Sequence, residues 1–214
     1  MSVKGRSQDD AEENYRELMQ ARGLIPVVPF DDPLIIAGCG TIVLEISREL
    51  PETQELMIPL SGGVLLAGMA MVAKSINPDM HIVGPSIQRS PAMVECLKAG
   101  KPVQGKHSLA DSLLDGIGFE NQYTLPMVQK YVDDHLLVRE EEIEAGMFHL
   151  FDTHRTIAEG AAAMGVGAML SGRVDVKGRR VVSVVSGGTV DTATCLQIIQ
   201  GQLERKPIHD SHAQ

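Results

Sequence analysis

Aromatic side chains are scarce in this sequence. Only 3% of its 214 residues are Phe, Tyr or Trp, and tryptophan is absent. Nucleic-acid bases therefore find no stacking platform. Basic residues are also in deficit: 19 Lys and Arg face 28 Asp and Glu, for a net charge of −9 and no basic patch. That balance argues against a polyanionic partner. No apolar run can cross a bilayer, since the longest, Val64 to Ala73, falls well short and carries glycine. The opening Met1-Ser2-Val3-Lys4-Gly5 leads straight into charged residues, without the apolar stretch of a secretory signal. Cys39, Cys96 and Cys195 are odd in number and lack Cys-x-x-Cys spacing. They read as reduced thiols of a cytoplasmic protein, not as a disulfide framework or a zinc site. No Gly-x-Gly-x-x-Gly follows a strand-like run, and no acidic ribose ligand follows His81 to Val83, so a nicotinamide dehydrogenase fits poorly.

What remains is an ordinary globular composition, 43% hydrophobic and 22% charged, long enough for one large or two small domains. Ser7 and the acids behind it predict a helix to about Arg22, stopped by Gly23. Leu24 to Phe30 is extended. Asp31-Asp32-Pro33 is a turn with a short helix after it. Gly38-Cys39-Gly40-Thr41 is expected to reset the chain before a second helix from Ile42 to Leu50. Strand-like runs at Leu56 to Leu60, His81 to Val83, His135 to Val138 and Arg180 to Val185 alternate with helical stretches. The helices are expected over Met69 to Ile76, from Pro91 until Gly100 ends it, from Pro126, over Glu140 to His154, over Ile157 to Leu170 and over Asp191 to Leu203. Residues 101–124 form a polar surface excursion and 207–214 a loose tail. Such alternation predicts an α/β fold with a mainly parallel sheet and flanking helices.

Two loops stand at expected carboxyl ends of strands, where ligands bind in such sheets. Ser61-Gly62-Gly63, followed by Val64 and Leu65, joins a strand to a Leu/Ala/Met-rich helical run; Ser186-Gly187-Gly188-Thr189 follows the last strand. A strand that ends in small residues and opens a helix presents unpaired N–H groups at a positive dipole end, which suits phosphate. The same pattern also describes an ordinary strand-to-helix turn. Ser186 is equally read as a helix-capping hydroxyl, and Glu159 as a first-turn acid.

Pro29-Phe30-Asp31-Asp32-Pro33, Ile36 to Thr41, Pro59 to Gly68 and Val185 to Asp191, in that order, resemble the threonine dehydratase and serine racemase family. These are pyridoxal-phosphate enzymes of the tryptophan-synthase-β fold type. Ala110-Asp111-Ser112, Gly116-Ile117-Gly118, Asn121 to Thr124 and Glu140 to Ile143 are similar to the hydroxyectoine-utilisation dehydratase branch. The resemblance implies a pyridoxal 5'-phosphate site in which Ser61, Gly62, Gly63, Val64 and Leu65 hold the phosphate. It places Ser186 at the pyridine nitrogen and Glu159 near the ring. A neutral hydroxyl at that nitrogen makes the cofactor a moderate electron sink, suited to losing water from a hydroxy amino acid or a hydroxyectoine-like compound.

There are departures. Val64 occupies the fourth position of a loop that is usually all small, and should narrow the cradle. Ser86 stands where racemase-like members carry a metal-binding glutamate, so no metal site is expected. The family's Ser-x-Lys-x-Arg-Gly motif, whose lysine carries the cofactor, is not found in these residues. Lys4, Lys74, Lys98, Lys101, Lys106, Lys130, Lys177 and Lys206 all fall outside it and read as solvated. On this reading 1–24 is the remnant of a small cofactor domain, 25–206 the large domain and 207–214 the tail. The chain alone is then expected to bind cofactor weakly or not at all, to be inactive, and to self-associate or await an N-terminal half. The alternative is a non-catalytic fragment or phosphate-ligand binding module.

Overall fold

The computed structural model describes residues 8–25, 27, 31–103 and 121–205. Four parallel strands form one sheet: β1 (Glu55–Met57), β2 (His81–Ile87), β3 (Asp134–Val138) and β4 (Val181–Ser183), in the order β3-β2-β1-β4. Leu56 pairs with Ile82 on one side and Val182 on the other, which places β1 at the centre. The helices are α1 (Gln8–Arg22), α2 (Pro33–Glu49), α3 (Val64–Ile76), α4 (Ala92–Ala99), α5 (Thr124–Tyr131), α6 (Glu140–His154), α7 (Gly160–Leu170) and α8 (Thr192–Arg205).

Alternation along β1 divides the core into two halves. Leu56 and Ile58 join Leu66, Met69, Met93 and Val128 on one face, under α2 to α5. Met57 joins Val83, Val138, Ile143, Met147 and Met164 on the other, against α6 and α7. Successive strand residues point to opposite faces, so an unbroken apolar run is what a strand covered on both sides requires. The expected α/β fold with a parallel, helix-flanked sheet is what the chain forms.

The helix expectations hold in outline and fail at one place. Gly38-Cys39-Gly40-Thr41 does not reset the chain. α2 runs through it without a break, and Thr41 Oγ1 donates back to the Gly38 carbonyl instead of capping a new helix. The small residues serve packing. A Cβ on Gly40 would lie 2.7 Å from Val72 Cγ2, and one on Gly68 only 2.2 Å from the Ile36 carbonyl oxygen, so α2 and α3 cross with their backbones nearly touching. α5 opens at Thr124, two residues before Pro126. α7 opens at Gly160, which makes Glu159 its N-cap and leaves Ile157 and Ala158 outside the helix. β4 is shorter than Arg180 to Val185 and only half-buried. The expectations at Ser7, Pro29-Phe30, Ala110 to Ser112, Gly116 to Gly118 and 207–214 lie outside the described residues. Among the described residues no helix is long and apolar enough to cross a membrane.

Candidate functional site

The central strand does not end at Met57 in effect. The Ile58 N–H donates to the Val83 carbonyl at 3.0 Å and the Leu60 N–H to that of Pro85 at 2.8 Å, keeping the chain extended to Leu60. Ser61, Gly62 and Gly63 then turn it into α3. Gly63 has φ 87°, in the left-handed region that glycine enters without steric cost. Its carbonyl accepts the first helical bond, from the Ala67 N–H at 2.8 Å. Among the described residues, the N–H groups of Gly62 to Leu66 find no acceptor, and the first turn of α3 holds no acid. The result is a set of donors at the positive end of a helix, an anion cradle. Gly63 is buried and Val64 is 7% exposed, while Ser61, Gly62 and Leu65 are half-buried.

The loop is braced from behind. A Cβ on Gly63 would sit 2.6 Å from Met93 Cε, 3.0 Å from Thr124 Cγ2 and 3.4 Å from Val128 Cγ2, so α4 and α5 press directly on it. α5 is in turn held by Asp31, itself at φ 50°. Its Oδ1 accepts the N–H of Tyr123 at 2.9 Å and of Thr124 at 2.7 Å, and its Oδ2 accepts that of Gln122. This is helix capping by a carboxylate far away in sequence. Reading the sequence did not single out Asp31 or Thr124 as site residues. They lie 93 positions apart, and no local spacing joins them.

The second loop leaves the sheet beside the first. Ser183 is level with Met57, and the Val184 N–H donates to the Met57 carbonyl at 3.0 Å. The loop then folds onto Glu159. The Glu159 N–H donates to the Gly187 carbonyl at 3.1 Å, and Glu159 Oε2 accepts the Thr189 N–H at 3.2 Å. A Cβ on Gly187 would meet Glu159 Oε1 at 2.7 Å. Glu159 and Ser186 to Thr189 thus form one unit, in which Ser186 is exposed. Ser61 to Leu65 and Ser186 emerge from neighbouring strands at the same sheet edge.

Lys74, Lys130 and Lys177 lie elsewhere, and Lys4, Lys106 and Lys206 lie outside the described residues. β1 and the parallel β2 are joined by α3 running back, so its last turn ends at the opposite edge of the sheet, and α5 ends next to the start of β3. Lys74 and Lys130 sit in those last turns, and Lys98 in the last turn of α4. Lys74 is not the solvated lysine expected: its side chain is 19% exposed and pairs with Asp133 at 2.8 Å. Burial by itself would raise the Asp133 carboxyl, but Lys74 and the Ile82 N–H outweigh it and hold the group below the usual range.

Two cavities flank the sheet. One of about 460 Å³ lies among α6, α7 and α8, lined by Arg89, Glu144, Met147, Glu159, Thr189 and Ile198. One of about 420 Å³ lies at the edge where the strands begin, beside Gln54, Asn77, His81 and Arg179. Neither reaches Ser61 to Leu65 or Ser186. Ser86 is buried, and among the described residues no group of three or more His, Cys, Asp or Glu is placed to hold a metal ion.

Residues 1–187 match a family model described as pyridoxal-phosphate dependent enzyme. The chain belongs to this pyridoxal-phosphate-dependent family. It is 43% identical over 201 residues to a putative threonine dehydratase of Sinorhizobium fredii, covering 93% of this chain and 60% of that protein. It is 37% identical over 199 residues to the L-threonine ammonia-lyase of Thermotoga maritima, covering 92% and 49% respectively. Among solved structures, threonine deaminase isoform 2 of Solanum lycopersicum superposes with TM-score 0.82 at 27% identity, over 93% of this chain and 59% of that one. Maize serine racemase superposes with TM-score 0.80 at 27% identity, over 94% and 63%. Within the pyridoxal-phosphate family the chain is therefore threonine dehydratase-like, with the tryptophan-synthase-β-like fold. It spans about half to three fifths of the length of the curated relatives it matches.

Proposed function

We propose that these residues form the phosphate and ring end of a pyridoxal-phosphate site in an ammonia-lyase that removes water from a hydroxy amino acid or a hydroxyectoine-like compound. The observation that carries this reading is the Gly63 turn, with donors on one side and no room for a Cβ on the other. Such a cradle fits a phosphate monoester. When bound, the cofactor would supply an electron sink for the elimination. The N–H groups of the Ser61 to Leu65 loop would hold its phosphate. Ser186, a neutral hydroxyl at the neighbouring loop, would meet the ring nitrogen without charging it. Glu159, fixed by the Thr189 N–H, would keep a carboxylate next to that loop.

In this reading the described lysines do not supply the reacting end. Covalent catalysis through an amine needs a lysine at the same sheet edge as the phosphate. Lys74, Lys98 and Lys130 are in the last turns of α3, α4 and α5, and Lys101 and Lys177 lie in turns outside the elements, with Lys177 ahead of β4. In this reading the 214 residues alone bind the cofactor weakly at most and do not turn over; activity requires a lysine presented by other residues. The placement of the lysines equally favours a second reading, a phosphate-ligand binding module without chemistry.

Titration of the purified chain with pyridoxal phosphate, followed by borohydride reduction and peptide mapping, tests the proposal. The expected result is a weak, saturable spectral change with no single lysine labelled. Absence of any change at all concentrations would remove the cofactor site. Specific labelling of one lysine would show that the chain supplies its own amine.

A further inference from the structure

We infer that the cavity of about 460 Å³ among α6, α7 and α8 is a binding site for a free aliphatic amino acid, separate from the phosphate loop and independent of the function proposed above. Its floor is apolar: Ile143 and Met147 of α6 are 5% and 7% exposed, and the half-buried Ile198 of α8 joins them in the lining. The lining also carries three acids, Glu140, Glu144 and Glu159, and two arginines, Arg89 and Arg205. Most of these groups are already engaged. Arg205 Nη1 donates to Glu144 at 3.5 Å, and Glu159 Oε2 accepts the Thr189 N–H at 3.2 Å. Arg89 and Glu140 remain. Ile87 pairs with Val138, and the Gln88 N–H donates to the Val138 carbonyl at 2.8 Å, so residues 89 and 140 leave neighbouring strand ends side by side. Opposite charges so placed could pair, yet among the described residues neither side chain has an ion pair or hydrogen bond. A ligand with a carboxylate and an ammonium on one carbon suits that pair, its carboxylate on the guanidinium and its ammonium on Glu140. Its side chain then has the apolar floor to lie on, the usual division of a small-molecule site into apolar walls and a few orienting polar groups. Three acids against two arginines oppose a phosphate or a dicarboxylate, and an acid without an amine would leave Glu140 unused.

Calorimetry on the full chain at neutral pH, without pyridoxal phosphate, tests this with L-leucine and two truncated analogues. Leucinamide lacks the carboxylate, and isocaproate lacks the amine. L-Leucine should bind saturably, and each analogue about tenfold or more weakly, because a hydrogen bond to a charged group is lost. L-Threonine should also bind more weakly than L-leucine, since its hydroxyl would meet the apolar floor. Arg89→Met should lower the affinity for L-leucine about tenfold and leave it no better bound than leucinamide. Glu140→Gln should likewise leave L-leucine no better bound than isocaproate. Both side chains are exposed, so unfolding midpoints without ligand should stay near that of the wild type. The inference is overturned if L-leucine does not bind, or if either variant binds it like the wild type. Equal affinity of the wild type for L-leucine and leucinamide overturns it, since no carboxylate is then being read. Equal affinity for L-leucine and L-threonine does the same, because the floor then takes no part.

Discussion

At the scale of single residues, the cradle turns on Gly63. Two penalties meet there: a left-handed φ of 87°, and side chains of α4 and α5 closing on the missing Cβ. Gly100, at the end of α4, has φ 69° but nothing within 4 Å of where a Cβ would be, so it carries only the first penalty. Gly100→Ala should therefore cost about 1 kcal/mol, the ordinary penalty of left-handed backbone for a residue with a Cβ. Gly63→Ala should cost about 2–4 kcal/mol, since Met93 and Val128 must also move within a packed core. Chemical denaturation of the two variants measures the difference. Equal losses would mean that α4 and α5 do not brace the loop. Phosphate affinity should fall with Gly63→Ala and stay unchanged with Gly100→Ala.

At the scale of elements, the informative contact is the crossing of α2 and α3, because α3 carries the cradle at its start. Gly38 and Gly68 look alike as sequence, each a glycine inside an apolar helix. Their surroundings differ. A Cβ at Gly38 meets nothing within 4 Å, whereas one at Gly68 would lie 2.2 Å from the Ile36 carbonyl oxygen. Gly38→Ala should stabilise the chain by up to about 1 kcal/mol through helix propensity. Gly68→Ala should destabilise it by about 3 kcal/mol or more, since backbone must separate from backbone. Thermal unfolding of the pair checks the opposite signs, and two shifts of the same sign would refute the close crossing. This crossing also marks the limit of what is legible in the sequence. The alternation of strands and helices, the parallel sheet and both Ser-Gly-Gly loops can be read from local apolar periodicity and small-residue turns. Gly38-Cys39-Gly40 reads as a break because turn and close-packing glycines share one local signature. The Asp31 cap on α5 and the burial of Thr124 are not legible, since both arise from segments brought together only by the fold.

At the scale of the whole molecule, acid should act through Glu142. It is 4% exposed, and it binds α6 to its neighbours on both sides. Its Oε2 accepts the Arg139 N–H at 2.8 Å and Arg173 Nη1 at 3.2 Å, and its Oε1 accepts Arg139 Nη2 at 3.1 Å. Arg173 Nη1 also donates to the Leu137 carbonyl at 2.6 Å, so one carboxylate ties β3, the start of α6 and the turn beyond α7. Burial alone would raise the Glu142 carboxyl, but the Arg139 N–H and the two guanidiniums prevail and lower it from 4.5 to about 2. A folded-state value below the unfolded one means that the stabilisation is complete above pH 4.5 and is lost as pH falls towards 2. Asp133, also lowered, adds to the loss in the same direction. Unfolding midpoints in denaturant should therefore hold steady from neutral pH to about pH 5 and then fall steeply. Glu142→Gln should lower the midpoint at pH 7, by about 2–3 kcal/mol in stability, because two guanidiniums lose their charged partner. It should also flatten the acid limb, because the group that titrates there is gone. A variant whose acid limb kept the wild-type slope would show that other carboxylates govern the loss, and that α6 is not fastened to the sheet through this charge.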